Sequence, residues 1–184
     1  YVEASYEPGA DTVVGQVLAT SLKRGTYTYG RTVLSHFTMT IDTTLHTMGQ
    51  SVPGTIDITR VLSDDITLDG VNHDMGWWRY VFHAGVLSFP AEGTVGAPPL
   101  ASAGSPIEIV VEGDQTVMYY PVYLLVEPEA PTDVHTVMDF NVHESFRWVD
   151  EALTGYTSGV FDTTELSTET ITKAGANDYD IYLE

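Results

Sequence analysis

Apolar and polar residues alternate along most of the chain, which is the pattern of strands that are buried on one side. The clearest example is the segment 26–42, where the two kinds of residue occupy opposite faces almost throughout. Arg31 and Ser35 interrupt its apolar face, and Leu34 interrupts its polar face. The pattern therefore predicts one long, half-buried strand over this segment.

Seven further segments have the alternation and the β-branched and aromatic content of strands. They are 12–22, 54–62, 77–89, 106–113, 115–127, 134–149 and 178–184. Turn-forming residues occupy the intervals, and helical periodicity is limited to one turn at 149–156. About eight strands without intervening helices predict an all-β fold, a single antiparallel sandwich. Because the strands are long and unevenly spaced, we expect a jelly roll rather than a small immunoglobulin-like domain.

The chain has 184 residues and no cysteine, so its size fits one domain, 1–184, that buries a core without disulfides. Residues 1–11 form a polar N-terminal arm with no signal-peptide pattern. Residues 161–178 are low in hydrophobicity, and we expect them to be a loose segment before the last strand. No apolar run has the length of a membrane-spanning helix.

Charge is the strongest compositional signal. Lys and Arg total 7 against 26 Asp and Glu, for a net charge of −19, and a field of this sign argues against nucleic acid as a partner. Since 43% of the residues are hydrophobic, a packed core is feasible and the charge must lie on a folded surface. Molar salt shortens the range of that repulsion from about 8 Å to about 3 Å. The composition predicts adaptation to high salt; the alternative is an acidic mesophilic protein or a calcium binder.

The negative charge is unevenly distributed. The charged residues of segment 71–111 are Asp74, Arg79, Glu92 and Glu108, a net charge of −2. The other 143 residues carry the remaining −17. Within this segment, residues 91–106 are small, apolar and Pro/Gly-rich, which predicts a long loop. Loops normally face water, so an apolar loop in so acidic a chain indicates contact with another surface. The alternative is a flexible loop that contacts nothing.

No sequence motif indicates an active site. The chain has no G-x-S-x-G, P-loop or G-x-G-x-x-G motif, no H-x-H or H-E-x-x-H, and no cupin-type histidine pair with a following glutamate. The best metal-site candidates share one face of a predicted strand: His135, Asp139, Asn141 and His143. Alternate strand residues stand about 7 Å apart, so His135 and His143 are too distant to bind one ion. The acids of 63–70 do not fit an EF-hand loop.

We therefore predict no catalytic, cofactor-binding or metal-binding residues, no cofactor, no small-molecule substrate and no enzymatic activity.

Residues 72–85 combine several chemically active side chains: His73, Asp74, Trp77, Trp78, Arg79 and His83. We expect 72–76 to be a turn that leads into a strand at Trp77. Alternation then places Trp77, Arg79, Val81 and His83 on one face and Trp78, Tyr80, Phe82 and Ala84 on the other. The second face is assigned to the core, and the first to a subunit contact or a loop-covered surface. Adjacent indoles on opposite faces cannot form one sugar-binding platform.

An acidic, cysteine-free β chain with strands such as TYTYGRTVLSHFTMTID (26–42) and QTVMYYPVYLLVE (115–127) resembles a known capsid protein. This is the smaller major capsid protein of haloarchaeal icosahedral viruses with an internal membrane, the sphaerolipovirus group. The resemblance covers the whole chain in length, acidity and strand content, and no motif carries functional residues over. It implies one upright jelly roll per subunit and pseudo-hexameric capsomers built from copies of this chain and a larger related protein. It also implies a place in the virion shell near an internal membrane, after assembly in the host cytoplasm.

Two other classes of protein stay open. One is a tail-tube or capsid-decorating protein of a haloarchaeal virus, which would form rings or tubes or bind a finished shell. The other is a secreted carbohydrate-binding or hydrolytic β-sandwich that uses Trp77 or Trp78. A non-viral surface-layer or adhesin module is a further alternative.

Overall fold

The computed structural model describes residues 2–5, 7, 9–16, 21–95, 107–127, 136–164, 167–175 and 178–183. These residues form 14 strands and no α-helix. The strands are β1 (Gly25–Leu34), β2 (His36–Thr47), β3 (Gln50–Val61), β4 (Ile66–Leu68), β5 (Val71–His73), β6 (Trp77–Ala84), β7 (Leu87–Thr94), β8 (Glu108–Glu112), β9 (Gln115–Val126), β10 (Thr136–Asn141), β11 (Phe146–Trp148), β12 (Phe161–Thr164), β13 (Ile171–Ala174) and β14 (Asp178–Leu183). Within this described part there is no helix with the length and apolar character needed to cross a membrane.

Two sheets contain most of the long strands. The larger has the order β12-β2-β3-β6-β7, and the smaller has the order β1-β9-β8. Three two-stranded sheets, β4-β5, β10-β14 and β11-β13, complete the described part. Every neighbouring pair is antiparallel except β12 and β2, which are parallel. The predicted all-β, mainly antiparallel fold is confirmed, and the parallel pair departs from a purely antiparallel arrangement.

The long strand predicted over 26–42 is wrong at Ser35, where the chain passes from one sheet to the other. The Ser63 hydroxyl donates to the Leu34 carbonyl at 2.7 Å, and the Leu62 N–H donates to the Ser35 carbonyl at 2.8 Å. The carbonyls of Leu34 and Ser35 are thus bound by residues that follow β3. β1 ends at Leu34 and pairs with β9, whereas β2 begins at His36 and pairs with β3. The serine that interrupts the apolar face therefore marks the junction between the sheets.

Three other predicted strands also differ from the structure. The segment 77–89 is the hairpin β6–β7, which turns at Gly85 with a positive φ of 59°. The segment 134–149 breaks after β10 into a turn that contains Glu144 at φ 51°, and continues as β11. In the segment 12–22, residues 12–16, 21 and 22 form no strand, and residues 17–20 lie outside the described residues. The remaining four predicted strands overlap β3, β8, β9 and β14.

The expectation that 161–178 is loose is wrong. The segment contains β12 and β13, and Phe161, Asp162 and Glu169 are fully buried. Its low hydrophobicity misleads because its buried polar groups are hydrogen-bonded, and such groups are tolerated in a core. For example, the Thr43 hydroxyl donates to the Phe161 carbonyl at 2.6 Å.

The centre of the hydrophobic core lies on one face of the five-stranded sheet. It consists of Ile56, Ile58 and Phe161. Partly buried side chains packed around it are Met39, Ile41, Tyr80, Phe146, Trp148 and Ile171. Since β11 and β13 supply three of these side chains, their small sheet covers this face. The opposite face of the five-stranded sheet carries the polar side chains of the candidate sites.

Candidate functional sites

The residues 72–85 divide between two environments, as the alternation predicts. On the core side, Trp78 packs on Tyr80 with ring centroids 4.5 Å apart, and Phe82 is buried. On the other side, Trp77 stacks on His73 at 3.8 Å. The expected turn at 72–76 is shorter, because residues 72 and 73 belong to β5. The two indoles therefore have separate partners and do not form a common platform.

The polar side chains on this strand are engaged with carboxylates. Arg79 donates to the Asp69 carboxylate at 3.1 Å, and His83 Nε2 lies 2.9 Å from Asp57 Oδ2. Asp57 also accepts a hydrogen bond from the Thr40 hydroxyl at 2.6 Å. All of these groups are partly exposed, so the arrangement is a hydrogen-bonded outer sheet face rather than an enclosed site.

The β6–β7 hairpin presents an apolar surface, which we call the hairpin patch and define as Val86, Leu87 and Phe89. These side chains are 101%, 56% and 48% exposed. Among the described residues, β7 is the outermost strand of its sheet. The charged residues of the hairpin are Arg79 and Glu92 alone, so its net charge is zero. An exposed apolar strand in a chain of net charge −19 is the kind of surface that marks an interaction site.

The open edge of β7 is poorly suited to pairing with another strand. Ala84 and Leu87 flank the two-residue turn and form its closing hydrogen-bonded pair. Counting along the register places Pro90, opposite Val81, at a position whose backbone nitrogen faces away from β6. Proline has no N–H to offer there, and proline at such positions blunts sheet edges. A partner would therefore contact the side chains of the hairpin patch rather than extend the sheet.

Three of the four metal-site candidates lie among the described residues. Asp139 and Asn141 lie in β10, whereas His143 lies in the following turn, where its N–H donates to Asn141 Oδ1 at 3.0 Å. His135 lies outside the described residues. Across the residues that the structure describes, no group of three His, Asp or Glu side chains is arranged to hold a metal ion.

A second candidate site, which we call the buried-acid cluster, lies at the β2–β3 turn. Its members are His46, Ser51, Tyr156, Asp162 and Glu169. The antiparallel pairing of β2 with β3 places His46 directly opposite Ser51. The parallel pairing of β12 with β2 brings Asp162 alongside them. The cluster thus depends on the only parallel strand pair among the described residues.

Asp162 has no exposed side-chain surface, and its carboxylate accepts two hydrogen bonds. Oδ1 lies 2.6 Å from His46 Nε2, and Oδ2 accepts the Thr157 N–H at 2.9 Å. His46 Nδ1 lies 3.0 Å from the Ser51 hydroxyl oxygen. When Asp162 is ionised and the His46 ring is neutral, Nε2 carries the proton and Nδ1 is the acceptor. In that tautomer Ser51 donates its hydroxyl hydrogen to Nδ1.

Glu169 is 1% exposed and is hydrogen-bonded to the backbone of Asp162. Its Oε1 accepts the Glu151 N–H and its Oε2 accepts the Asp162 N–H, each at 2.7 Å. Both oxygens are therefore satisfied by backbone donors, which is what allows a carboxylate to be buried.

Tyr156 covers the imidazole, with ring centroids 4.8 Å apart and planes inclined by 24°. Burial raises the pKa of the Tyr156 hydroxyl, and the charges of Asp162, Glu151 and Glu169 raise it further. The raised pKa keeps the phenol neutral, and the stacked ring holds His46 in place.

The sequence interpretation missed the buried-acid cluster. His46 and Ser51 flank the Met48–Gly49 turn, so the contact between them could be inferred from a hairpin prediction. Asp162 is 116 residues away from His46 along the chain, and no local signal connects the two.

No protein family, curated protein or solved structure matches this chain. The functional conclusion therefore rests on the residues and their geometry.

Proposed function

We propose that this protein is a structural subunit of the capsid of a halophilic icosahedral virus. It assembles with copies of itself and with a larger related capsid protein, near an internal membrane, and this role requires no catalysis. The jelly-roll arrangement is part of the proposal. The five-stranded and three-stranded sheets together have eight strands, which is the number expected of such a sandwich, although β12 pairs in parallel with β2.

One observation carries the proposal: the hairpin patch is apolar and lies on a hairpin of zero net charge. Two copies of a chain with charge −19 repel each other, so they make contact at lowest cost where the charge is least. Leu87 and Phe89 are each about half exposed. Covering the exposed half of each side chain would stabilise a contact by about 1 kcal/mol per residue. Such weak contacts suffice for a shell because they are repeated in many copies.

The proposal is tested by placing a charge in the hairpin patch. Phe89→Asp and Leu87→Asp should yield monomers in molar salt, whereas the wild-type chain should sediment as an oligomer. Met48→Asp is the matched control, because Met48 is also an exposed apolar residue and lies in a different turn, the one between β2 and β3. Circular dichroism checks that each variant is folded. Assembly of both patch variants at the wild-type level would contradict the role of the hairpin.

The predicted 91–106 loop offers a second test of the same interface. Residues 91–94 belong to β7, Val95 is exposed, and residues 96–106 lie outside the described residues. Val95→Asp combined with Leu100→Asp should also block capsomer formation while the monomer stays folded.

Other outcomes of these experiments would favour the alternative classes. Rings or tubes of the purified chain in electron micrographs would favour a tail-tube protein. Glycan binding that is lost on changing Trp77 or Trp78 would favour a carbohydrate-binding module, but the stacking of Trp77 on His73 leaves little of that indole face for a sugar.

A further inference from the structure

We propose that Ser51 is a nucleophile activated by His46 and Asp162, and that it accepts acyl groups from activated esters. This activity goes beyond the structural role and does not depend on assembly. A nucleophile, a base and a group that orients the base, each within hydrogen-bond reach of the next, are the signature of covalent catalysis on any fold.

The distances meet that requirement. Ser51 Oγ lies 3.0 Å from His46 Nδ1, and His46 Nε2 lies 2.6 Å from Asp162 Oδ1. Both values fall within the range of about 2.6–3.2 Å expected of a general base and its partners. Burial increases along the three side chains: Ser51 is exposed, His46 is mostly buried and Asp162 is fully buried. The reactive oxygen thus faces solvent while its orienting carboxylate is shielded from water.

The two nitrogens of the His46 ring have different roles. Asp162 fixes the proton on Nε2, so the lone pair of Nδ1 faces the hydroxyl of Ser51. Either imidazole nitrogen can act as the base, because protonation of either one gives the same imidazolium ion. The Thr157 N–H holds the other carboxylate oxygen, and Tyr156 stacks on the ring. Asp162 is therefore a positioning residue that also stabilises the imidazolium form.

The ester is cleaved in two stages, acylation of Ser51 and release of the acyl group to water. Ser51 Oγ bonds to the carbonyl carbon of the ester while its proton moves to His46 Nδ1. The bond from that carbon to the leaving oxygen breaks, and the imidazolium proton passes to the departing alcohol or phenol. A water molecule then gives a proton to Nδ1 while its oxygen bonds to the acyl carbon. The bond from that carbon to Ser51 Oγ breaks and the imidazolium proton returns to Oγ, which releases the acid and restores Ser51.

The surroundings define the class of substrate. The buried-acid cluster contains two fully buried acids, and the whole chain is strongly acidic. Anionic substrates would be repelled, so uncharged or cationic esters are the expected donors.

The chain contains a matched internal control. Ser35 Oγ lies 3.1 Å from His36 Nδ1, which reproduces the serine–imidazole contact. Within the described residues, no carboxylate pairs with His36. A difference in reactivity between Ser51 and Ser35 therefore isolates the contribution of the buried acid and of exposure.

The experiment treats the full chain in molar salt with a fluorophosphonate probe and maps the labelled serine by mass spectrometry. Ser51 should be labelled at least tenfold faster than any other serine. Ser51→Ala should abolish this labelling and lower p-nitrophenyl acetate hydrolysis at least tenfold, while Ser35→Ala should change neither. Because Ser51 is exposed, its replacement by alanine leaves the fold intact. Labelling of Ser51 no faster than Ser35, or unchanged hydrolysis by Ser51→Ala, would overturn the proposal.

Asp162→Asn tests the positioning role separately. It should lower the maximal rate of acylation at least tenfold with little change in KM, whereas a purely structural role predicts equal rates for the folded variant. If Asp162→Asn does not fold, His46→Gln tests the activation of Ser51 in its place. Wild-type labelling of Ser51 in folded His46→Gln would remove the base from the mechanism, and wild-type labelling in folded Asp162→Asn would remove the acid.

Discussion

Replacing Glu169 by glutamine tests how the buried acids are stabilised. The two side chains have the same shape, but an amide has one accepting oxygen and one NH₂ group. Each oxygen of Glu169 accepts a backbone N–H, one from Glu151 and one from Asp162. Whichever way the amide of Glu169→Gln is turned, its NH₂ group therefore faces a buried N–H donor.

The cost follows from this geometry. One buried N–H loses its acceptor, at about 1–3 kcal/mol, and the other exchanges a charged acceptor for a neutral one, at about 1 kcal/mol. We expect Glu169→Gln to lower the free energy of unfolding by about 2–4 kcal/mol. Glu151→Gln is the matched control, because the Glu151 carboxylate has only a 3.4 Å contact with the Thr170 hydroxyl. Its expected effect is below about 0.5 kcal/mol.

Urea denaturation followed by tryptophan fluorescence measures both variants. Trp148 packs on Phe161 with centroids 5.7 Å apart, so it reports on the core beside the cluster. With a typical slope of about 1–3 kcal/mol per molar urea, the midpoint of Glu169→Gln should fall by about 0.7–4 M. A midpoint within error of the wild type would refute the reasoning, because it would mean that the two backbone N–H groups do not depend on the Glu169 carboxylate.

Three further predictions concern other parts of the molecule. Met48 has a φ of 48° in the β2–β3 turn, so Met48→Asn should raise stability by up to about 1 kcal/mol, seen as a higher Tm. A Cβ on Gly54 would lie 2.1 Å from the His83 carbonyl oxygen, so Gly54→Ala should abolish cooperative unfolding in calorimetry. Hydrogen bonds from Tyr119, and then from Arg31, lower the pKa of Glu112. Tyr119→Phe should raise that pKa in a carbon-13 NMR titration. Since the folded-state pKa is lowered, Glu112 stabilises the fold above the ordinary glutamate pKa, and this contribution is lost as the pH falls through the folded value.

Much of the fold is predictable because alternation reports directly on half-buried strands. The segments that became β3, β8, β9 and β14 were located this way, and the two faces of β6 were assigned correctly. Alternation cannot show where one strand ends and the next begins if the period-two spacing of apolar residues continues across the break. The break at Ser35 and the turn at Gly85 depend on hydrogen bonds and pairing partners that lie elsewhere in the chain.

The candidate sites differ in how far the sequence reveals them. The hairpin patch lies in the segment of low net charge, residues 71–111, although its exposed side chains belong to the β6–β7 turn and to β7 rather than to the loop. The buried-acid cluster was invisible because Asp162 and Glu169 lie in a segment whose polar composition is typical of loops. Only the pairing of β12 with β2 makes Asp162 a buried partner of His46, and Glu169 in turn accepts the Asp162 N–H.

The central claim is that this protein is a subunit that assembles in high salt. Sedimentation velocity of the purified wild-type chain, from molar to dilute potassium chloride, tests it most directly. We expect a discrete oligomer in molar salt that dissociates or unfolds as the salt is diluted, because the repulsion between copies is then no longer screened. A folded monomer at every salt concentration would contradict both self-assembly and adaptation to salt.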